Sequence, residues 1–285
     1  MSRLFGLVLV LIVASACTAA TPLNIASNLG STDRQRNISY GNHDRNKYDL
    51  YLPAESAADT PVILFFYGGS WENGRRADFR FVGNALAEAG IITAIADYRV
   101  YPEATFPAFV HDAARAFAAV HRRFGSSRPL FVMGHSAGAH IAAMLALDPR
   151  YLRQAGLDNC NDVAGLIGLA GPYDFLPLPY PRLAEIFPQA TRNESQPVAF
   201  ASGRKPPALL LHGSGDVVVE PVDTETLSAR LEAAGNDTTT KFYDGVSHAA
   251  ILGALSPVLT SVAPTKADIL KFVADVENNE LTGCN

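Results

Sequence analysis

Leu130–Leu147 reads LFVMGHSAGAHIAAMLAL, and the change of pattern inside it decides the fold. Leu130–Met133 is a short apolar run of the kind that forms a strand covered on both faces. Ala137–Leu147 is a run of small and aliphatic residues about three helical turns long. Between them, Gly134-His135-Ser136-Ala137-Gly138 matches the G-x-S-x-G pattern of a tight strand-to-helix turn. A glycine two residues to either side of Ser136 lets that turn close without side-chain collision. The turn exposes the Ser136 hydroxyl, and the helix start beyond it favours negative charge developing there. Ser136 is the candidate nucleophile.

Working outward, apolar strand patterns alternate with helical ones. Asp49–Leu52, Pro61–Phe66, Ile91–Ala96, Val163–Leu169, Ala208–Leu211 and Thr238–Tyr243 read as strands. Phe79–Ala89, Phe106–Phe124, Val222–Ala234 and Thr265–Val276 read as helices. Such alternation predicts an α/β fold, a mostly parallel sheet with helices on both faces and catalytic groups at the carboxyl ends of its strands. The Pro-rich stretch Pro172–Pro188 interrupts it and predicts a small cap. Its Phe175, Leu176 and Tyr180, with Trp71, are candidates to line an apolar substrate pocket.

Composition narrows the class. The chain has 285 residues, 48% hydrophobic and 18% charged, enough for one large domain. A formal net charge of −5 and the lack of a concentrated basic patch argue against nucleic acid as a partner. Arg3, the apolar Leu4–Val13 and the small residues Ala14-Ser15-Ala16 before Cys17 read as a signal peptide over residues 1–16. The same residues resemble a bacterial lipobox, with Ala14 where Leu is usual, so Cys17 is a candidate for lipidation. Export is expected, to the periplasm, to the outer membrane as a lipoprotein, or to the medium. The membrane enters as a partner only through that anchor. Residues 17–46 read as a polar linker and 47–285 as the domain. Export permits disulfides, and Cys160 and Cys284 are the candidate pair.

A serine hydroxyl needs a base. Of the seven histidines, His248 follows the last strand, where the fold places one. His135 lies in the turn itself with its side chain directed away from that of Ser136; His140 reads as a structural helix residue and His212 as a turn-shaping one. The acid should lie in the loop facing the base, and Asp216, in Leu211-His212-Gly213-Ser214-Gly215-Asp216, is placed there. Glu220 competes, but it precedes Pro221 at a helix start, where an acid has an ordinary capping use. Pro61–Phe66 runs into Tyr67-Gly68-Gly69-Ser70-Trp71. The backbone N–H groups of Gly69, Ser70 and Ala137 are the candidate donors to an oxyanion.

The order Ser136, Asp216, His248, the runs Gly68–Trp71 and Gly134–Gly138, Asp97-Tyr98-Arg99 and the turn His212–Asp216 resemble the α/β-hydrolase carboxylesterases with an HGG-x-W oxyanion motif. Within that group the likeness is to the feruloyl-esterase-like, prenylcysteine-methylesterase-like and kynurenine-formamidase-like branches, and it covers about Lys47 to Val276. It implies a serine hydrolase that cleaves a small carboxylic ester through an acyl-enzyme and needs no cofactor. No His-Glu-x-x-His metal spacing occurs. The alternatives are an arylformamidase or amidase with the same triad, and a non-catalytic binding protein on the same fold. One departure stands out: Tyr67 occupies the place of the usual His. Asp97-Tyr98-Arg99 reads as structural, with Arg99 paired to a carboxylate such as Asp112.

Overall fold

The structure is a computed structural model and describes residues 22–25, 32–281 and 284. The expected signal peptide and Cys17 lie outside the described residues. Among the described residues eight strands form one sheet: β1 (Asp33–Ser39), β2 (Lys47–Leu52), β3 (Val62–Phe66), β4 (Ile92–Ala96), β5 (Leu130–His135), β6 (Gly165–Leu169), β7 (Ala208–Gly213) and β8 (Thr238–Tyr243). Their spatial order is β1-β2-β4-β3-β5-β6-β7-β8. β1 and β2 pair antiparallel, as do β2 and β4, and every later pair is parallel. The carboxyl ends of β3, β5, β6, β7 and β8 therefore share one edge.

The central strands β3, β5, β6 and β7 are buried at every residue, which is why they read as unbroken apolar runs. The outermost strands are different. β8 (TTTKFY) is half-buried and β1 (DRQRNIS) mostly exposed, and their Thr, Lys and Arg side chains suit edges that must not pair with another chain. β1 corrects the expected linker: residues 33–39 belong to the sheet. Being one-sided, polar and at the rim, this strand carries no apolar run by which to be recognised.

The main helices are α1 (Arg80–Ala87), α2 (Ala108–Phe124), α3 (Ala137–Leu147), α7 (Pro221–Ala233) and α9 (Thr265–Glu277), with short ones at α4 (Pro149–Gln154), α5 (Asn159–Asp162), α6 (Leu183–Ile186) and α8 (His248–Gly253). α3 is buried along its whole length, so it has no polar face. A Cβ added to Gly138 would collide with the carbonyl of Phe66. The helix thus starts against the end of β3, and a methyl group there would cost about 1–3 kcal/mol in overpacking.

The insertion between β6 and β7 carries α6 and is packed down at its middle. Ile186 and Phe187 are fully buried, and the Ile186 carbonyl accepts from Phe106 N–H at 2.8 Å. Among the described residues no helix is long and apolar enough to cross a membrane. Cys160, in α5, is joined to Cys284 by a disulfide.

Candidate active site

Ser136 stands between β5 and α3 at φ 55° and ψ −125°. A serine held there stores strain of about 1–3 kcal/mol. Tight surroundings keep it in place. A Cβ on Gly134 would strike the Gly138 backbone, so only glycine fits beneath the turn. The Ser136 amide donates to the Leu169 carbonyl at 2.9 Å, fastening the turn to the end of β6. The start of α3 lies directly below the serine, and Ala137 N–H is free of the helix ladder as a first-turn donor.

The loop after β3 arrives beside it. A Cβ on Gly68 would come within 2.8 Å of the Ser136 Cβ, so the absence of a side chain there opens the approach to the serine. Gly69, Ser70 and Trp71 all have positive φ, at 138°, 54° and 58°. These unusual conformations turn the backbone sharply, and the Gly69 carbonyl accepts from Glu72 and Asn73 to close the turn. The three expected oxyanion donors, Gly69, Ser70 and Ala137, thus lie on the two backbone segments that meet at Ser136.

Tyr67 shows how this loop is held where the related group has His. Its ring stacks between Phe79 and Tyr98, at centroid distances of 5.2 and 5.0 Å. Its hydroxyl donates to Asp97 Oδ1 at 2.7 Å and accepts from Arg45 at 2.9 Å. Burial pushes this phenol up, so it stays a donor. Arg45 also donates to the Gly74 carbonyl at 2.6 Å and the Tyr98 carbonyl at 2.8 Å, bracing the far end of the loop. Arg76 completes the cage by pairing with both Asp97 and, at 2.8 Å, Asp49. Arg99 makes a forked pair with the fully buried Asp112, 2.9 Å at each arm, as the sequence suggests. Arg45 and Arg76 escape a sequence reading because each lies outside the motif it supports.

On the other side of the serine, the loops after β7 and β8 bring Asp216 and His248 together. His248 Nδ1 lies 2.6 Å from Asp216 Oδ2. Asp216 Oδ1 accepts from the amides of Val218 and Val219 at 2.8 and 3.0 Å. Burial works against the charge of Asp216, but the hydrogen bonds from His212 and His248 and the charge of His248 outweigh it and hold the carboxyl well below the usual range. Glu220, the competing acid, is exposed at the start of α7.

Three further histidines are placed in ways the sequence does not reveal. His135 directs its side chain toward His248, the expected base: its Nε2 donates to the His248 carbonyl at 2.8 Å, and the two rings lie 4.8 Å apart. Burial and the neighbouring His248 push it down to about 3, so it is neutral near pH 7. His140 spans from the Trp71 indole N–H, at 3.2 Å, to the Ser195 carbonyl, at 2.7 Å. Burial pushes it down to about 4. It thereby ties the loop after β3 to the insertion. His212 Nε2 lies 3.2 Å from Asp216 Oδ2. The only sequence signal for these roles is that all three flank motif residues.

Of the expected pocket residues, Trp71 and Phe175 are buried and face each other at 5.8 Å within a cluster that includes Phe109, His140 and Phe187. Leu176 is half-buried and Tyr180 is exposed.

This strand order, with a strained serine after the fifth strand, is that of the α/β-hydrolase fold. Esterase B from Lactobacillus rhamnosis, solved with a tributyrin phosphonate inhibitor, superposes with a TM-score of 0.77 over 95% of this chain and 96% of its own, at 16% identity. Within that fold the chain belongs to the BD-FAE family, whose model matches residues 48–231. It is 30% identical over 239 residues to isoprenylcysteine alpha-carbonyl methylesterase of Arabidopsis thaliana, covering 75% of this chain and 56% of the relative. It is 26% identical over 162 residues to kynurenine formamidase of Danio rerio, covering 54% of each. The chain thus spans little more than half the length of these curated relatives.

Proposed function

We propose that this protein is a serine hydrolase that cleaves a small carboxylic ester through an acyl-enzyme. The observation that carries the proposal is the 2.6 Å contact between Asp216 and His248 on the sheet edge that also carries the strained Ser136. His248 Nδ1–H donates to Asp216, which leaves Nε2 unprotonated and able to accept. As Ser136 Oγ attacks the ester carbonyl, its proton passes to His248 Nε2, and Asp216 stabilises the imidazolium. The carbonyl oxygen gains negative charge, which the N–H groups of Gly69, Ser70 and Ala137 receive. When the tetrahedral adduct collapses, the alcohol leaves with the proton from His248 and the acyl group stays on Ser136. Water then gives a proton to His248 and attacks the acyl carbonyl. The second adduct releases the carboxylic acid and restores the serine.

The names of the relatives support this reading. The formamidase supports a second one, attack on an N-formyl group by the same three residues. The two readings share the same three residues and part only in the substrate, which turnover decides. For location, we propose an exported protein, either soluble or anchored through Cys17. The apolar Leu4–Val13 and the disulfide, a bond suited to oxidising compartments, support it.

The test is turnover of p-nitrophenyl esters of graded chain length beside N-formylkynurenine, by wild type and Ser136→Ala. The expected result is faster turnover of an ester, and a loss of several powers of ten in the variant. Near-wild-type activity in the folded variant would remove Ser136 from the mechanism. Preferred turnover of N-formylkynurenine would select the second reading.

A further inference from the structure

Asp216 does not serve His248 alone. Its Oδ2 atom lies 2.6 Å from His248 Nδ1 and 3.2 Å from His212 Nε2, so two imidazoles converge on one carboxylate oxygen. His212 is fully buried at the end of β7. Its Nε2 also lies 3.1 Å from the Val219 carbonyl, and its Nδ1 lies 2.7 Å from Thr224 Oγ1 in α7. A carbonyl and a carboxylate oxygen only accept, so Nε2 carries a proton and shares it between them. Thr224 fixes the ring from behind. Val219 is the residue whose amide donates to the other oxygen of Asp216. The same few atoms therefore hold the ring, the loop and the acid in one arrangement.

We propose that His212 is a positioning residue for the proposed hydrolysis: its Nε2–H fixes the Asp216 carboxylate and limits how strongly that carboxylate binds the proton of His248. The inference rests on the assignment of Ser136, Asp216 and His248 above. Two consequences follow from one hydrogen bond. The first is geometric. Without His212, Oδ2 keeps a single donor, on a loop whose tip residue Val217 is 86% exposed, and the carboxylate, still paired to His248, no longer holds that ring in one orientation. The second is electrostatic. A donor on Oδ2 draws off part of its negative charge. Removing that donor leaves a stronger partner for the imidazolium, so His248 keeps its proton to higher pH and is ready to act as a base only above it. The other groups facing this cluster are His135, beside His248, and Asp223 on α7. His135 is neutral over the working range; Asp223, pushed up to about 6 by burial and in the field of His212, titrates inside it, so every pH profile below is taken in an Asp223→Asn background.

A ring that served only as packing would be replaceable by any side chain of similar volume. The discriminating pair is His212→Gln, which can return an N–H to the place of Nε2, and His212→Leu, which cannot. Both would be purified and checked by thermal melting. kcat and KM would then be measured from pH 5 to 9 on the best p-nitrophenyl ester, beside fluorophosphonate labelling. The expected result for His212→Leu is a fall in kcat of about ten- to a hundredfold, by analogy with the loss of outer partners that orient metal-ligating histidines. KM should change less than about threefold, and the acid limb of the kcat/KM profile should move to higher pH. His212→Gln should recover most of kcat and return the limb toward the wild-type position. Equal kcat and an unmoved acid limb in both folded variants would overturn the proposal. So would equal loss in both with no movement of the limb, which is the behaviour of simple packing. If His212→Leu does not fold, Thr224→Val decides: loss of the Thr224 hydroxyl, which holds the ring from behind, should move the limb in the same direction by a smaller amount, and an unmoved limb in that folded variant overturns the role. Failure of wild type to label at Ser136 would instead reject the triad on which the inference rests.

Discussion

Two buried carboxylates hold the loops that meet at Ser136, and their surroundings differ in kind. Asp97, below the loop after β3, is held by guanidinium, phenol and one backbone amide: the side chain and N–H of Arg76 and the hydroxyl of Tyr67, with Arg45 behind them. Asp216, in the loop after β7, is held by two imidazoles and two backbone amides. Arginine keeps its proton under all ordinary conditions, so the first cage is a fixed set of charges and braces a loop. Imidazole gains and loses a proton near neutrality, so the second can manage a proton in transit. On the proposed mechanism the same side chain braces a loop in one place and serves the base in the other because of what donates to it.

The sharpest way to break that comparison is to neutralise each acid in turn. Asp216→Asn keeps its size and its backbone hydrogen bonds but loses the charge that stabilises imidazolium. Ester turnover should fall by about two to four orders of magnitude with little change in melting temperature. Equal activity in the folded variant would mean that His248 does not depend on Asp216.

Asp97→Asn should behave in the opposite way. Removing one partner from a buried ion pair costs about 3 kcal/mol or more, which should appear as a lower urea midpoint. The protein that remains folded should keep turnover within about tenfold of wild type. A stable but inactive variant would place Asp97 in the chemistry.

A third carboxylate gives a pH test. Asp223, near the start of α7, accepts from the Asp174 amide at 3.1 Å, and burial pushes it up to about 6 from an ordinary 3.8. Its folded value lies above its unfolded value, so its contribution to stability is fully present below about pH 4 and is lost as pH rises through 6. Unfolding free energy from this group should fall by about 2 kcal/mol between pH 4.5 and 7.5. Asp223→Asn should flatten that fall and be the more stable form at pH 7.5. A steeper dependence in the variant would contradict the sign.

The smallest effect is expected at Glu220. It is exposed and precedes Pro221, so Glu220→Gln should alter turnover less than about tenfold, through helix-end electrostatics alone. A loss as large as that of Asp216→Asn would transfer the acid to Glu220.

How far the sequence can be read follows the same division. The turn at Ser136 is legible because its demands are local: glycines at fixed offsets, an apolar strand before and a small-residue helix after. The placement of Asp216 and His248 follows from parallel strands, whose carboxyl ends must share an edge. The cage around Asp97 is not legible. Arg45 and Arg76 come from separate loops, and nothing in their neighbours marks them as partners of Tyr67 or Asp97. β1 is hidden because an exposed edge strand has no apolar alternation. His135 and His212 stand in plain view within motifs, yet the atoms they face belong to loops distant in sequence. Trp71 and Phe175 read correctly as apolar, while their burial against each other depends on the packing of α2 and the insertion.

On the proposed mechanism the Ser136 hydroxyl oxygen is the atom on which the chemistry turns. A fluorophosphonate ester reacts covalently with a serine only where a base and an oxyanion site activate it, and peptide mass mapping identifies the residue. Wild type should carry one adduct, on the peptide that contains Gly134–Gly138, and Ser136→Ala should carry none. An adduct on another residue, or no adduct on active wild-type enzyme, would contradict the account.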